Sequence, residues 1–314
     1  MSQALSVEKF PSTLGKNTFA FMQKFIASLT VNETSAEKYR RIILQVLTFW
    51  AQKKISSPSL ADLNRYFLKL RKERKSDYTM RLYATVIKSF FSFLGRNDFY
   101  PNITAEWKIS LRRSPSHNRK ALTLQQAQML LAAVNGTDLN SLRDKAIIAL
   151  ALTCGLRTIE ISRADCSDLT PAADCFYLKV QGKGRLTKDE SVKVISWVAD
   201  LIFDYLDLRG SVDNEPLFTF TSKKNFGRRF SSQSISKMIK RRLRSIGIDD
   251  PKITAHSCRH FAATCAIRQG ADIREVAQML RHNSLNVTMI YLHDLSIESR
   301  SAEKRIADCL SSRP

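Results

Sequence analysis

The sequence predicts a mainly α-helical protein of two domains, with one small antiparallel β-sheet confined to the second. Three observations lead there. Apolar residues recur at helical spacing along most of the chain, and only the stretch around 175–196 switches to period two. Between the helical regions lies ISLRRSPSHNRKAL, residues 109–122, which is polar and basic, carries Pro115 and has no apolar period. At 314 residues and 44% hydrophobic content, the chain can bury a core in each of two domains. The expected organisation is a helical domain over 1–108, a linker over 109–121 and a second domain over 122–314.

In the first domain four segments have the helical period: FAFMQKFIASL, YRRIILQVLTFWAQ, LADLNRYFLKLRKE and YTMRLYATVIKSFFSFLG. Basic residues are interspersed through the last three: Lys53, Lys54, Lys69, Arg71, Lys72, Arg74, Lys75, Arg81 and Lys88. A charge run of this kind is either a solvated face or a surface for a phosphate backbone. Arg112 and Arg113 add to it in the linker. In the second domain TLQQAQMLLAAV and SLRDKAIIALALTCG read as helices, the first capped by Thr123 and the second stopped by Gly155. CFYLKV and SVKVIS read as strands joined by QGKGRLTKDE, a glycine-bearing hairpin loop that exposes Lys183. The segments WVADLIFDYLDLRG, SSQSISKMIKRRLRSIG, AHSCRHFAATCAIRQG and DIREVAQMLRH return to helical spacing.

A formal charge of +21 points to a polyanionic partner, nucleic acid before a membrane surface. The longest nearly apolar run, AIIALALTCGL, is far shorter than the roughly 20 residues that cross a bilayer. MSQALSVEKFP lacks the basic start and apolar stretch of a signal peptide, so a cytoplasmic protein is expected. Cys154, Cys166, Cys175, Cys258, Cys265 and Cys309 form no CxxC pair and read as buried reduced thiols.

The chemistry concentrates in four motifs. In HSCRH, His256 and Arg259 are three apart and project from one helical face, joining a proton carrier to a planar fork of donors suited to phosphate oxygens. His256 and His260 as zinc ligands lack the glutamate of HExxH and a third ligand. In GLRTIEIS, Arg157 follows an apolar helix and a glycine, where a charge needs an anionic partner; either a ligand or an internal pair with Glu160 supplies one. In LRHNSLNVTMIYLHD, His282 and Tyr291 are nine apart, on opposite faces of any unbroken helix. Asn283, Ser284 and Asn286 allow a turn and cap a new helix, VTMIYLH, which presents Tyr291. Taken in isolation, the pair reads more simply as a tyrosine packed at a helix interface.

Taken together, Arg157, Lys183, His256, Arg259, His282 and Tyr291 resemble the tyrosine recombinase, or phage integrase, family in residue type, order and spacing. One departure is Arg281, which stands where the family usually has glycine and which could add a phosphate contact. The resemblance implies an N-terminal core-DNA-binding domain of SAM-like helical fold and a mixed α/β catalytic domain. It implies Tyr291 as nucleophile, Arg157 and Arg259 as phosphate clamps, Glu160 in support, His256 as proton carrier, Lys183 as acid and His282 lining the pocket. A 3′-phosphotyrosyl intermediate and a Holliday junction would follow, with no metal and no cofactor. The implied partners are double-stranded DNA with a specific core site, gripped by the two domains as a C-shaped clamp, and three further copies in a tetrameric synapse. Between such encounters a monomer or weak oligomer is expected, associated with a bacterial nucleoid, with an accessory DNA-bending or directionality protein. LSIESRSAEKRIADCL would be a subunit-contact helix, in cis or passed to a neighbour. Integration or excision of a mobile element and resolution of chromosomes or plasmids all fit. A type IB topoisomerase-like enzyme and a non-catalytic DNA-binding regulator are the alternatives.

Overall fold

In a computed structural model of the chain, the residues described are 16–110, 120–182, 184–185, 187–210, 213–282 and 284–293. The chain divides into two compact units, Met1–Ser114 and Pro115–Pro314. Most of the expected linker, 111–119 with Arg112 and Arg113, lies outside the described residues, as do Lys183, Cys309 and the expected C-terminal helix.

The first unit consists of α1 (Lys16–Ala27), α2 (Glu33–Gln52), α3 (Leu60–Lys72) and α4 (Asp77–Arg96). Short polar side chains start three of them: Asn32, Ser59 and Ser76 each accept from a backbone N–H of the first turn, meeting donors the helix itself leaves unpaired. The apolar stripes converge on a core rich in aromatic rings. Trp50 meets Phe91 edge-on, and Phe67 meets Trp107 the same way with centroids 4.8 Å apart. The polar faces carry the lysines and arginines. Lys53, Lys54, Lys69, Arg71, Lys72, Arg74, Lys75 and Lys88 are exposed and Arg81 is half-buried. Glu73 pairs with Lys69 and Lys75 at 3.6 and 3.8 Å, a pair of weak surface contacts that leaves the face strongly basic.

The second unit opens with α5 (Leu124–Ala132), capped by Thr123 as expected, and α6 (Leu139–Thr153). From Ala146 to Leu152 every residue of α6 is buried, so it is the central helix and has no polar stripe. It ends before Gly155, whose φ of +57° turns the chain left-handed. There follow α7 (Thr158–Arg163), β1 (Leu169–Pro171), β2 (Cys175–Val180), β3 (Glu190–Ile195), α8 (Ser196–Arg209), α9 (Ser232–Ser245), α10 (Ala255–Arg268), α11 (Ile273–Leu280) and α12 (Leu285–His293). The sheet is antiparallel in the order β1-β2-β3, with Leu178 facing Leu169 on one side and Val192 on the other. Period two exposed β2 and β3 in the sequence. Two elements escaped it, because three residues of β1 and six of α7 are too short to display a period.

One ion cluster ties the layers of this unit together. The Asp144 carboxylate, fully buried on α6, accepts from Arg143 at 2.7 Å and from Arg242 of α9 at 2.8 Å, with Arg241 at 3.4 Å. Cys154, Cys175 and Cys258 are buried and Cys166 and Cys265 half-buried. Burial pushes the Cys258 thiol up to about 12, which suits a packing role. Among the described residues, no helix is long and apolar enough to cross a membrane.

Candidate active site

Gly155 sets up the site. Its left-handed turn brings the end of α6 beneath α11, so close that a Cβ would stand 2.7 Å from the Leu280 side chain. The next residues lead into α7, and Arg157 is its N-cap. Glu160, one turn on and fully buried, accepts from the Arg157 backbone N–H at 2.8 Å and from its guanidinium at 2.6 Å. The internal pair that the sequence left open is therefore formed. It does not occupy the whole guanidinium: among the described residues only Nη1 of Arg157 donates, and the side chain is 27% exposed.

Arg259 approaches from α10. It is 1% exposed, its Nη1 donates to the Gly155 carbonyl at 2.6 Å, and its Nη2 donates to the Leu280 carbonyl. Burial, followed by the neighbouring Arg157 guanidinium, pushes it down to about 10, so it remains a cation at neutral pH. Arg281 completes a triangle. It takes a left-handed conformation (φ 53°, ψ 53°) at the C-cap of α11, where glycine would avoid about 1–2 kcal/mol of backbone cost. Its guanidinium turns inward, donating to Glu160 Oε2 at 2.7 Å and to the Met279 carbonyl at 2.6 Å, and its side chain is 5% exposed. Arg259 Nη1 lies 4.0 Å from the same Glu160 oxygen. Burial opposes the charge on Glu160. The Arg281 guanidinium, with the hydrogen bonds and charge of Arg157, nevertheless holds its carboxyl below the usual range.

Arg157 and Arg259 line a cleft of about 700 Å³ together with His256, and the first two turns of α9 close one wall through Ser232, Gln233, Ser236 and Lys237. The cleft thus gathers three of the six residues singled out from the sequence. The α9 wall has no signature of its own in the sequence, because Lys237 belongs to a basic amphipathic run that reads only as solvated surface.

His282, after α11, and Tyr291, on α12, meet each other. The expected turn is present: Ser284 accepts from the Asn286 N–H at 3.3 Å, and Asn283 lies outside the described residues. The two rings stack with centroids 6.0 Å apart and planes within 9°, while Tyr291 also meets the edge of His260 at 4.7 Å. His282 Nδ1 is 2.8 Å from Oγ1 of Thr288, a fully buried residue one turn before Tyr291. Thr288 was missed in the sequence; its place on the face of Tyr291 was the available signal. Burial, then the guanidinium groups of Arg259, Arg157 and Arg281, push His282 down to about 4, so its ring is neutral at pH 7 and offers a hydrogen bond rather than a charge. Tyr291 is 2% exposed and packs against Ala263, Val276 and Leu280. The structure therefore shows this tyrosine packed, with its ring against that of His282.

The chain belongs to the phage integrase family, whose description matches residues 120–297. It is 30% identical over 232 residues to tyrosine recombinase XerD of Halalkalibacterium halodurans, covering 73% of this chain and 75% of the relative. It is 27% identical over 285 residues to tyrosine recombinase XerC of Herpetosiphon aurantiacus, covering 87% and 90%. In fold it is similar to the XerH site-specific recombinase bound to a palindromic difH substrate (TM-score 0.70, 18% identity, 99% of both chains). It is also similar to the Tn1549 transposon integrase in complex with transposon right end DNA (TM-score 0.72, 15% identity, 92% of this chain and 99% of that one).

Proposed function

We propose that this chain is a site-specific DNA recombinase that cuts and rejoins strands through a covalent bond between Tyr291 and a 3′-phosphate. The observation that carries the reading is the surplus of positive charge at the cleft. Three guanidinium groups surround one carboxylate, and Arg157 keeps donors turned toward the space that a phosphate would fill. The +21 charge of the chain and the DNA-bound state of the XerH and Tn1549 structures support DNA as the ligand.

The Tyr291 oxygen attacks phosphorus as its proton passes to His256. The bond from phosphorus to the 5′ oxygen breaks, and Lys183 protonates that oxygen as it leaves. Arg157 and Arg259 stabilise the charge that builds on the non-bridging oxygens, and neutral His282 orients the phosphate by a hydrogen bond. The phosphotyrosyl ester conserves the bond energy, so a hydroxyl from a second strand can reseal it without ATP. Because Tyr291 is buried, attack requires α12 to reposition when DNA binds. With the arginines supplying the positive charge, the step needs no divalent metal.

Exchange between two sites requires four copies around two duplexes, passing through a Holliday junction. The exposed basic residues of α2, α3 and α4 grip phosphates around a core site. Integration or excision of a mobile element and resolution of replicon dimers remain the two biological settings that this chemistry serves.

The test is incubation with a nicked duplex carrying the recognition site, in chelator. Wild-type chain should accumulate a covalent protein–DNA adduct, and Tyr291→Phe should bind DNA yet form none. An adduct from Tyr291→Phe, or a requirement for magnesium, would refute the reading.

A further inference from the structure

The remaining question is what Arg281 does in the position the family fills with glycine. Glycine would hold the left-handed turn without strain, and arginine there is kept although its Nε finds no acceptor among the described residues. Its guanidinium reaches across from the end of α11 to Glu160 on α7, residues 121 positions apart in sequence. On that carboxylate the oxygen Oε1 is held by Arg157, and Oε2 is held by the Arg157 backbone N–H and by Arg281. Oε2 is also the oxygen that Arg259 faces, at 4.0 Å.

We infer that Arg281 is a positioning residue: by occupying Glu160 Oε2 it keeps Arg259 off the carboxylate and available to the scissile phosphate. The inference rests on the recombinase reading above. Its physical basis is competition for one acceptor. A buried carboxylate draws the nearest guanidinium, and a bidentate pair between Glu160 and Arg259 would cancel the charge that the phosphate needs. With Arg281 in place, Arg259 instead donates to two neutral carbonyls, those of Gly155 and Leu280, which fix its plane, and its approach to Glu160 stops at 4.0 Å. Arg281 thereby does through charge what a glycine at the same turn cannot do at all. It also adds a third cation to the field that keeps His282 neutral.

The test uses Arg281→Met, Arg281→Gly and Arg281→Lys in single-turnover cleavage of a nicked duplex, with either a normal scissile phosphate or a methylphosphonate that has lost one anionic oxygen. Wild-type adduct formation, abolished in Tyr291→Phe, is run alongside. Arg281→Met and Arg281→Gly should cleave the normal substrate about 10- to 100-fold more slowly, with DNA affinity and melting temperature close to wild type. The deficit should shrink on the methylphosphonate, which asks for less positive charge, and Arg281→Lys should restore part of the rate because an ammonium can still occupy Glu160. A purely structural arginine would give the opposite pattern: equal losses on both substrates that follow a falling melting temperature, and no rescue by lysine. Either that pattern, or Met and Gly variants that cleave like wild type, overturns the inference. Failure of the recombinase reading itself would show differently, as a wild-type chain that forms no adduct.

Discussion

Two buried carboxylates in the second unit each gather three arginines, and they are put to different use. At Asp144 the nitrogens of Arg143 are all engaged: Nε and Nη2 donate to the carboxylate, and Nη1 donates to the Thr219 carbonyl and the Thr221 hydroxyl. The Arg143 guanidinium also lies over the Phe230 ring, 4.1 Å from its centroid. At Glu160 the same three-to-one ratio leaves Arg157 with donors unused and open to a cleft, and leaves Arg259 near the carboxylate without being bound to it. A buried arginine whose donors are all met, as Arg143 is, makes its cluster a fastening, even though Arg241 at the edge of that cluster is largely exposed. An arginine with donors open to a cavity, as Arg157 is, suits an anion, which is the role proposed for the Glu160 cluster. The contrast lies in how many donors the protein itself satisfies, and burial alone does not reveal it.

The largest expected effect separates the two clusters by stability. Asp144→Ala leaves Arg143 buried without its counter-charge and should cost roughly 3–5 kcal/mol, read from urea unfolding, while the molecules that remain folded keep their cleavage rate. Should unfolding be unchanged, Asp144 is not the fastening described.

Arg157→Ala should act the other way. Losing a preorganised donor to the developing charge should slow cleavage by about 10² to 10³-fold in a single-turnover assay, with little change in the unfolding midpoint because the side chain is partly exposed. A loss of stability without a loss of rate would make the Glu160 cluster a second fastening.

A smaller effect sharpens the electrostatics. His282 binds a proton at about 4 in the folded chain and at an ordinary value of 6.5 when unfolded. The unfolded state therefore takes up the proton first on acidification, and folding stability should decline as pH falls from about 6.5 to 4. In His282→Asn that part of the decline should vanish, as measured by chemical unfolding across the window. An unaltered slope would mean that burial and the neighbouring guanidinium groups do not together hold this ring neutral.

The smallest change concerns the cleft wall. Lys237→Ala should lower the slope of log affinity against log salt by about 1, since one phosphate contact is lost, and should do so for any DNA sequence. A variant that keeps the slope would place the DNA path away from the N-terminal turns of α9.

The helices, two of the strands and the six-residue pattern were legible because each is carried by local spacing. Arg157, His256 and Arg259 sit in motifs of three or four residues, and His282 and Tyr291 are separated by a turn whose capping residues can be read directly. What could not be read depends on distant parts of the chain. The pairing of Arg281 with Glu160 joins positions 121 apart, and the α9 wall of the cleft stands 74 positions from α7, where Thr158 and Ser232 share a hydrogen bond. Thr288 lay within reach of the sequence, three residues before Tyr291, but hydroxyls on a helix mostly bond their own backbone, so only the fold shows its contact with His282. The short β1 and α7 show no period at all.

The central claim is that the surplus charge around Glu160 exists to hold one phosphate against one phenol. The most direct measurement is to trap the covalent complex on a nicked duplex, digest the protein and locate the nucleotide-bearing peptide by mass spectrometry. The account requires the 3′-phosphate on Tyr291. Attachment to another residue, such as Tyr177 or Tyr205, or a 5′ linkage, would contradict it.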